Sequence, residues 1–374
     1  MGTQARDENL QEEALRTSME QNRNVSALGS LGEPPRKLQS GTQPRVVIDA
    51  AGGWDDGRAS GSLEAIPRVP TDRNEAMLEL GGHRVRLTNL QKIFWPHHGI
   101  TKGALIQYYL DIAPTLIPHI ANRAMVMKRY PNGVTGKFFF MKRAPMPRPK
   151  WIHTCAIEHE SGNLIDFPMI DDVASLAWVI NLGCIDLNPW YARCDDVDRP
   201  DYLHFDLDPG DAPFERVAEV AMIVHAALDE VGMPNYAKTS GSKGLHVYVP
   251  LRRGPTQKDV WTVAKALARE LAERHPKIIT AEYRVANRPP GRVLIDYNQN
   301  AWGRTLASVY SVRPAPRATV STPITWDEVA GGVPIESFRL ENVPLRVKRL
   351  GDLWAPLAPH SEARFDLESV ASVA

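Results

Sequence analysis

Residues 202–210 read YLHFDLDPG, an apolar strand pattern that carries two aspartates one residue apart. Successive side chains of a strand point to opposite faces, so His204, Asp206 and Asp208 share a face. The apolar residues of the other face are Leu203, Phe205 and Leu207. Two neighbouring carboxylates repel each other, and a divalent cation relieves that repulsion. Taken alone, however, Asp-x-Asp before Pro-Gly is more typical of a strand end that runs into a solvated turn.

A third aspartate lies in RVLIDY, residues 292–297, which also has the pattern of an apolar strand. Burying an unpaired carboxylate costs several kcal/mol, so Asp296 requires a partner in such a strand. Three carboxylates on strands favour a two-metal site over a solvated turn. Their hard oxygen ligands select Mg²⁺ or Mn²⁺ rather than zinc.

The stretch KTSGSKGLHVYVPL, residues 238–251, supplies the complementary charge. Residues 240–244 form a small, flexible loop whose backbone N–H groups could bind phosphates, with Lys243 neutralising them. His246 falls on the strand that follows. The glycine spacing differs from a Walker loop, and a strand follows where a helix should. Alone, this loop is also typical of an ordinary hairpin connection, and a single strand histidine is usually a core or surface residue.

The composition excludes several classes of protein. The chain has 374 residues, 43% of them apolar, and a formal net charge of zero. The charge is nevertheless polarised, because residues 84–150 carry a net +11 and residues 158–208 a net −10. The three cysteines form no CxxC pair, which argues against a disulfide framework or a structural zinc site. No apolar run reaches the roughly 18 to 20 residues of a membrane span, so we expect a soluble cytoplasmic protein.

The chain divides into an extension and a globular region. Residues 1–75 are polar and aperiodic, which predicts a disordered extension. From residue 76 the pattern becomes globular and favours an α+β fold. Helices are predicted over 103–120, where two prolines should end or kink the helix, over 213–232, capped by Asp211 and Gly232, and over 256–276, with a capping box at Thr256. Strands of the kind in residues 202–208 alternate with these helices.

Five ordered blocks resemble the polymerase module of bacterial DNA ligase D, a member of the archaeo-eukaryotic primase superfamily. The blocks are LTNLQKIFWPHHGITKGALIQYY, MKRYPNGVTGKFFFMKRAP, LHFDLDPGDAPFERVAEVA, KTSGSKGLHVYVPL and LIDYNQNAWGRTLASVYSVR. They extend over about residues 80–350. The resemblance implies a primase-like α+β fold, with an RRM-like catalytic sheet and a second mixed or antiparallel sheet packed with helices. It divides residues 76–355 into a DNA-binding part, 76–190, and a catalytic part, 191–355, followed by a C-terminal tail, 356–374.

The same resemblance implies a role for each matching residue. Asp206, Asp208 and Asp296 would hold two catalytic Mn²⁺ or Mg²⁺ ions. A primer 3′-hydroxyl would then attack the α-phosphate of an NTP or dNTP. The positions that would bind this nucleotide are Ser240, Lys243, Gly244, His246, Arg313 and Asn188. The positions that would bind DNA, including the 5′-phosphate beyond a gap, are Lys92, Lys102, Lys128, Phe139 and Phe140. Three consecutive phenylalanines are more often core residues, but Phe138, Phe139 and Phe140 cannot all face one way in a strand.

Two positions depart from the family pattern. Asn188 stands where the family usually has a histidine, and an amide cannot carry a proton at neutral pH. Ala315 stands where a second arginine is common, and Arg317 is the nearest replacement. The role of that histidine and the strength of the phosphate contact are therefore expected to differ.

The expected function is DNA-dependent nucleotidyl transfer that extends primers or fills short gaps at DNA breaks in end joining. The sequence lacks a KxDG ligase motif, so we expect a stand-alone polymerase that works with a separate ligase and a Ku-type end-binding protein. A de novo primase is the alternative within the same class. A non-catalytic module that binds DNA ends is the alternative outside it, and a metal-dependent nuclease is the least favoured.

Overall fold

The computed structural model describes residues 66–159 and 162–368 together with the strand Val47–Ile48. Most of the predicted extension, 1–75, lies outside these residues. The end of the predicted extension is described and is ordered into the fold: Val69 is buried in the core, and a strand begins at Glu75. At the other end, Leu357 and Leu367 are buried. The boundaries proposed for the extension, the two parts and the tail stay predictions.

The described residues form six α-helices and eighteen strands. The helices are α1 Lys102–Ile120, α2 Val173–Asn181, α3 Phe214–Glu230, α4 Gln257–Arg274, α5 Trp326–Ala330 and α6 Val343–Leu350. The first nine strands are β1 Val47–Ile48, β2 Glu75–Leu80, β3 His83–Thr88, β4 Ile93–Trp95, β5 Ile100–Thr101, β6 Met125–Arg129, β7 Phe139–Met141, β8 Thr154–Glu158 and β9 Leu164–Pro168. The others are β10 Cys184–Pro189, β11 Ala192–Arg193, β12 Asp196–Pro200, β13 Tyr202–Asp208, β14 Tyr236–Thr239, β15 Leu245–Pro250, β16 Ile279–Thr280, β17 Val293–Asp296 and β18 Pro323–Ile324. No helix of the described part is long and apolar enough to cross a membrane.

The central sheet has six strands in the order β16–β17–β13–β15–β14–β18. Four of them follow the chain order β13–α3–β14–β15–α4–β17, and each neighbouring pair among these four is antiparallel. This β-α-β-β-α-β arrangement is the RRM-like sheet that the sequence predicts. Strand β14, which the sequence pattern did not separate from the loop after it, completes the arrangement. The α+β fold class is confirmed.

The apolar face of β13 anchors the sheet to its helices. Leu203, Phe205 and Leu207 are fully buried, as the alternating pattern predicts. They belong to one core with apolar residues of α3 and α4, such as Val220 and Ala264. Full burial of a Leu or Phe side chain stabilises a fold by about 1.5 to 3 kcal/mol. The strand is therefore fixed by one face, which leaves its other face to carry polar residues.

The helix ends agree with the sequence pattern in part. The capping box at the start of α4 is confirmed, because Thr256 and Asp259 bond each other's backbone N–H groups. The predicted cap of α3 is wrong. Pro213 occupies that position without a side-chain hydrogen bond, and Asp211 instead accepts a bond from the backbone N–H of Gly291. Gly232 does follow α3 with a φ of 70°.

The first helix bears on the expectation that two prolines end or kink it. Pro114 and Pro118 lie inside α1 and do not end it, since the helix continues to Ile120 as predicted. Thr101, which the sequence reasoning overlooked, caps the helix by accepting a hydrogen bond from the backbone N–H of Ala104 at 3.1 Å. The helix packs against α2 in a buried interface. Tertiary packing of this kind offsets the helical hydrogen bonds that the two prolines cannot donate.

A second antiparallel sheet, β10–β6–β7, lies beside the central sheet. The backbone N–H of Leu187 in β10 donates to the Ser311 hydroxyl at 3.0 Å, and the Leu187 carbonyl accepts from the backbone N–H of Ser308 at 2.8 Å. These bonds join β10 to the segment that follows β17. The second sheet is therefore held at a fixed position relative to the polar face of the central sheet.

Candidate active site

A row of four polar residues crosses the central sheet from strand to strand. Asp206 is the direct cross-strand partner of Asp296 on one side and of His246 on the other. His246 is in turn the partner of Lys238 on β14. Directly opposed residues point to the same face, so the four side chains lie side by side. We call Asp296, Asp206, His246 and Lys238 the cross-strand row.

The carboxylates of Asp206, Asp208 and Asp296, here the carboxylate cluster, lie within reach of one another's charge. Burial and the neighbouring Asp208 raise the pKa of Asp206 to about 7. Burial and Asp206 raise the pKa of Asp296 to about 6, although hydrogen bonds from Gln299 and Asn298 oppose that shift. Three negative charges held together without a cation are unstable. The cluster is therefore poised to bind positive charge.

The surroundings of the cluster supply some of that positive charge. Arg288 places Nη1 at 3.4 Å from Oδ2 of Asp208, and the Gly210 N–H donates to Oδ1 of Asp208 at 3.0 Å. Asp296 accepts hydrogen bonds from the Asn298 backbone at 2.9 Å and the Gln299 amide at 3.0 Å. These bonds orient the carboxylates but leave further lone pairs on them.

The described residues include no group of three or more His, Cys, Asp or Glu side chains already in the geometry of a bound metal. The donor set nevertheless fits a hard divalent ion, because all three side chains offer carboxylate oxygens. Burial first, and repulsion between the carboxylates second, raise the pKa values of Asp206 and Asp296, and a bound cation would oppose both effects.

Lys238 is a member of the row that the sequence reasoning did not identify. Its side chain is 1% exposed, and Nζ lies 2.8 Å from Nδ1 of His246. Burial lowers the pKa of Lys238 well below its usual value, and Arg313 adds to that shift. Burial also lowers the pKa of His246, so its ring is neutral at physiological pH. Nε2 of His246 lies 3.4 Å from Oδ1 of Asp206. The sequence did carry a signal, since a hairpin closed by residues 240–244 pairs position 238 with position 246.

The loop between β14 and β15 is closed by Ser240. Its hydroxyl accepts hydrogen bonds from the backbone N–H groups of Ser242 at 3.1 Å and Gly244 at 3.0 Å. A Cβ on Gly244 would lie 2.2 Å from the Leu207 carbonyl oxygen, so only glycine fits there. Lys243 is exposed at the tip of the loop. The loop therefore lies against the end of β13, beside the carboxylate cluster.

Arg313 joins the central sheet to the second sheet. Its Nε lies 3.6 Å from Oδ2 of Asp186, a residue of β10 that is 1% exposed. Its positive charge also lowers the pKa of His246 and Lys238, which places it near the cross-strand row. The Asn188 amide donates to the Asp186 carbonyl at 3.2 Å and is nearly buried. Asp186 is a second residue that the sequence reasoning did not identify, because nothing in CIDLNPW separates it from a surface aspartate.

The aromatic residues of β7 point in two directions. The Lys128 ammonium lies 4.3 Å from the ring centre of Phe138 and 5.5 Å from that of Phe140, whereas Phe139 contacts the Arg129 guanidinium at 5.2 Å. This agrees with the expectation that the three rings cannot face one way. Phe139 and Phe140 are 43% and 40% exposed. Burial lowers the pKa of Lys128 to about 8, so this cation is held close to the point of losing its proton.

Lys92 and Lys102 lie near each other, outside the cross-strand row. The Lys92 ammonium donates to the Pro131 carbonyl at 2.7 Å and to Asn132 at 2.9 Å. The Lys102 ammonium donates to the Thr88 carbonyl at 2.6 Å and to Asn181 at 2.8 Å. Each ammonium has three N–H donors, which leaves capacity for a further acceptor. Burial, with Lys92 and Arg129 adding repulsion, lowers the pKa of Lys102 to about 8.

The structure thus brings the candidate residues together in two groups. The first comprises the carboxylate cluster, the loop 240–244, His246, Arg313 and Asn188. The second, here the basic surface, comprises Lys92, Lys102, Lys128, Phe139 and Phe140. Phe139 contacts Arg129 on one face of β6 and β7, and Phe140 contacts Lys128 on the other. Adjacent positions on β6 connect the groups. Lys128 pairs with Asp186 in register, and the positive charge of Arg129 helps to lower the pKa of Lys102. The role of each individual residue stays a prediction.

Comparison with known proteins identifies the family. A family model described as the LigD primase-polymerase domain matches residues 101–354. The multifunctional non-homologous end joining protein LigD of Mycolicibacterium smegmatis is 37% identical over 277 residues, which cover 73% of this chain and 36% of that protein. The LigD protein of Pseudomonas aeruginosa is 29% identical over 277 residues, which cover 73% of this chain and 33% of that protein.

A solved structure, the polymerase domain of Mycobacterium tuberculosis ligase D in complex with DNA, superposes with a TM-score of 0.70. It is 31% identical, and the match covers 74% of this chain and 99% of that one. The chain spans about a third of the length of the curated relatives in Mycolicibacterium and Pseudomonas. On the matched residues, the chain belongs to the LigD primase-polymerase family.

Proposed function

We propose that the chain is a DNA-dependent nucleotidyltransferase that extends primer 3′ ends and fills short gaps at DNA breaks during end joining. The observation that carries this proposal is the register of β13, which sets Asp206 directly between Asp296 and His246. A carboxylate pair beside a phosphate-binding loop is the arrangement that nucleotidyl transfer requires. The family and the DNA in the related solved structure support the same conclusion.

The carboxylate cluster would hold two divalent ions, Mn²⁺ or Mg²⁺. Such ions lower the pKa of the attacking 3′-hydroxyl and neutralise the α-phosphate and the pyrophosphate leaving group. Hydrogen bonds from Asn298 and Gln299 fix the direction of the Asp296 carboxylate. Arg288 contacts Asp208 at 3.4 Å and offsets part of the repulsion.

The nucleotide would bind between the loop and the second sheet. Backbone N–H groups of residues 240–244 and the exposed Lys243 suit the triphosphate. Arg313 presents a planar guanidinium, which binds phosphate oxygens in a fixed geometry. Its contact with the buried Asp186 at 3.6 Å holds the guanidinium near the row. Asn188, which replaces the usual histidine, would contribute hydrogen bonds but no proton.

The basic surface would bind DNA. Lys92 and Lys102 lie close enough to repel each other, as two cations that share one phosphate do. The exposed rings of Phe139 and Phe140 are available to stack on bases. Lys128 lies between the Phe140 ring and Asp186, where it would connect the DNA surface to the nucleotide site.

The family membership favours this function over a non-catalytic module that binds DNA ends. A cluster of three buried or half-buried carboxylates would also weaken DNA binding by a purely binding protein. A separate ligase and a Ku-type end-binding protein are proposed partners, since the relatives act in non-homologous end joining. We also propose a cytoplasmic location in bacteria, which the bacterial origin of these relatives supports.

The experiment that tests this function is primer extension on a gapped duplex with a 5′-phosphate. We expect incorporation with Mn²⁺ or Mg²⁺, and parallel reactions with rNTP and dNTP identify the preferred nucleotide. Omission of the template separates templated from terminal synthesis, and omission of the primer tests de novo priming. Absence of incorporation with every metal and nucleotide would contradict the proposed function.

A further inference from the structure

Two adjacent tyrosines of α1 lie in the core, and both hydroxyl groups are hydrogen-bonded. Tyr108 and Tyr109 are 3% and 0% exposed. The Tyr109 hydroxyl lies 2.7 Å from the Ile185 carbonyl oxygen and 2.9 Å from the backbone nitrogen of Val312. A carbonyl only accepts and a backbone N–H only donates, so the hydroxyl donates to Ile185 and accepts from Val312. One oxygen atom therefore joins α1, β10 and the chain that follows β17.

Both residues that the Tyr109 hydroxyl joins come directly before a charged residue of the candidate site. Ile185 precedes Asp186, and Val312 precedes Arg313. Nε of Arg313 lies 3.6 Å from Oδ2 of Asp186. Neighbouring residues are linked through planar peptide bonds, so a displacement of Val312 is passed on to Arg313. The hydroxyl thus limits how far the Arg313 backbone can move from β10.

A second buried hydroxyl lies beside the first. Ser311 is 0% exposed, its Oγ accepts from the Leu187 N–H at 3.0 Å, and it lies 3.5 Å from the Tyr109 hydroxyl. Breaking a buried hydrogen bond leaves a desolvated polar group without a partner, so such bonds hold their elements in place. The Arg313 side chain, by contrast, is 19% exposed. Its backbone is held in the core, whereas its guanidinium reaches the surface of the site.

We propose that Tyr109 is a positioning residue that holds the Arg313 backbone against β10, so that the guanidinium is placed for the triphosphate of the nucleotide. Tyr109 is fully buried and does not touch the substrate. It acts only through Ile185 and Val312. This inference rests on the proposed function for the role of Arg313, but the contacts of the hydroxyl can be tested without nucleotide or DNA.

The first test is primer extension with Tyr109→Phe, which removes one oxygen atom and keeps the ring. We expect KM for the nucleotide to rise about tenfold, the effect of losing one hydrogen bond to a charged group. We expect kcat to stay within about twofold, because the reacting atoms are unchanged. In Arg313→Met, which lacks the guanidinium, Tyr109→Phe should raise KM no further. An unchanged KM, or increases that multiply in the double variant, would overturn the proposal.

Tyr108→Phe is the matched control, since it removes the hydroxyl of a buried tyrosine from the same helix. The Tyr108 hydroxyl donates to the Tyr310 carbonyl at 2.8 Å, and its loss leaves both contacts of the Tyr109 hydroxyl in place. We expect this variant to lower the melting temperature but to keep KM within about twofold of the wild type. If Tyr108→Phe raised KM as much as Tyr109→Phe, the effect would be a general loss of packing at α1, and the proposal would fail.

Ser311→Ala loosens the same contacts by a separate change, which matters if Tyr109→Phe fails to fold. It removes the acceptor of the Leu187 N–H and leaves the bonds of the Tyr109 hydroxyl to β10 and Val312. We therefore expect a smaller rise in KM, about threefold, with kcat unchanged. An unchanged KM in the folded Ser311→Ala variant would overturn the proposal.

The second test is hydrogen exchange followed by mass spectrometry in the free chain. The Val312 N–H loses its acceptor in Tyr109→Phe but keeps it in Tyr108→Phe. We expect peptides that contain Val312 to exchange about tenfold faster in Tyr109→Phe alone. Equal exchange in the wild type and Tyr109→Phe would overturn the proposal. A wild type that neither binds nucleotide nor extends primers, but shows this difference in exchange, would instead contradict only the proposed function.

Discussion

The carboxylate cluster and the basic surface hold charged side chains by different means. In the cluster, Asp206 and Asp296 are fixed by strand register, and each side chain is short. On the basic surface, Lys92 and Lys102 come from a turn and a helix start, and their long side chains reach backbone carbonyls. The first arrangement fixes its atoms through the backbone, whereas the second fixes them through hydrogen bonds of long side chains. Under the proposed function, the first suits catalysis and the second suits contact with DNA.

The largest effect is expected from a carboxylate. Asp206→Ala removes a ligand from the centre of the row and should lower primer extension by about 10³-fold or more, because metal ions stabilise the transition state by several kcal/mol. DNA affinity, measured by fluorescence anisotropy, should stay equal or rise, since a negative charge is lost. Glu219→Gln, on the exposed side of α3, is the control and should keep full activity. Equal losses of binding and activity would remove the distinction between the two regions.

This distinction also explains how much of the site could be predicted from sequence. The two-residue period of YLHFDLD suffices to place Asp206 and Asp208 on one face, and the buried Leu203 face confirms it. The period does not give strand order, so the pairing of Asp206 with Asp296 needed the structure. The fold class and the α4 capping box followed from local patterns. The α3 cap did not, because Asp211 bonds Gly291, a residue 80 positions away.

The contacts of the basic surface were less predictable from sequence, because they too depend on residues that are distant along the chain. Sequence similarity identified Lys102, but not that Thr88 and Asn181 bind its ammonium. Arg288 gave no local signal at all, since its contact with Asp208 joins a loop to a strand. Contacts made by long side chains across loops depend on tertiary structure rather than on periodicity.

The second largest effect is expected on the basic surface. Lys92→Ala should weaken binding to a gapped duplex with a 5′-phosphate by about tenfold, the value of one charge-assisted hydrogen bond. The loss should disappear on the same duplex with a 5′-hydroxyl, and the salt dependence of binding should fall by about one unit of slope. Arg216→Ala on α3 serves as the control. An equal loss on both duplexes would mean that Lys92 does not bind the 5′-phosphate.

A smaller effect is expected from the exposed ring of Phe139. Phe139→Ala should reduce affinity for gapped DNA by about 1 kcal/mol, roughly fivefold, the lower end for stacking on one base. Leu164→Ala is the matched control, because Leu164 is 44% exposed and lies on β9. If the two variants bound DNA equally well, Phe139 would have no part in the basic surface.

The last prediction concerns the free energy of unfolding and its dependence on pH, rather than activity or DNA binding. The folded-state pKa values of Asp206 and Asp296, about 7 and about 6, lie above the value of about 4 expected in the unfolded chain. The folded state therefore binds more protons, and its stability falls as pH rises from about 4 to about 7. In chelator, we therefore expect the free energy of unfolding to fall across this pH range, measured by urea unfolding. Asp206→Asn should flatten this dependence, and a stability that rises over the same range would contradict the assignment.

The most direct test of the account is Mn²⁺ binding followed by electron paramagnetic resonance. This experiment asks whether the carboxylate cluster, formed by Asp206 and Asp208 of β13 and Asp296 of β17, is a divalent-metal site. We expect the wild type to remove free Mn²⁺ from the spectrum in the presence of nucleotide, and the Asp206→Ala, Asp296→Ala double variant to leave it free. The double variant must keep its melting transition for the comparison to hold. Equal Mn²⁺ binding by the folded double variant would contradict the account, because the metal would then lie elsewhere.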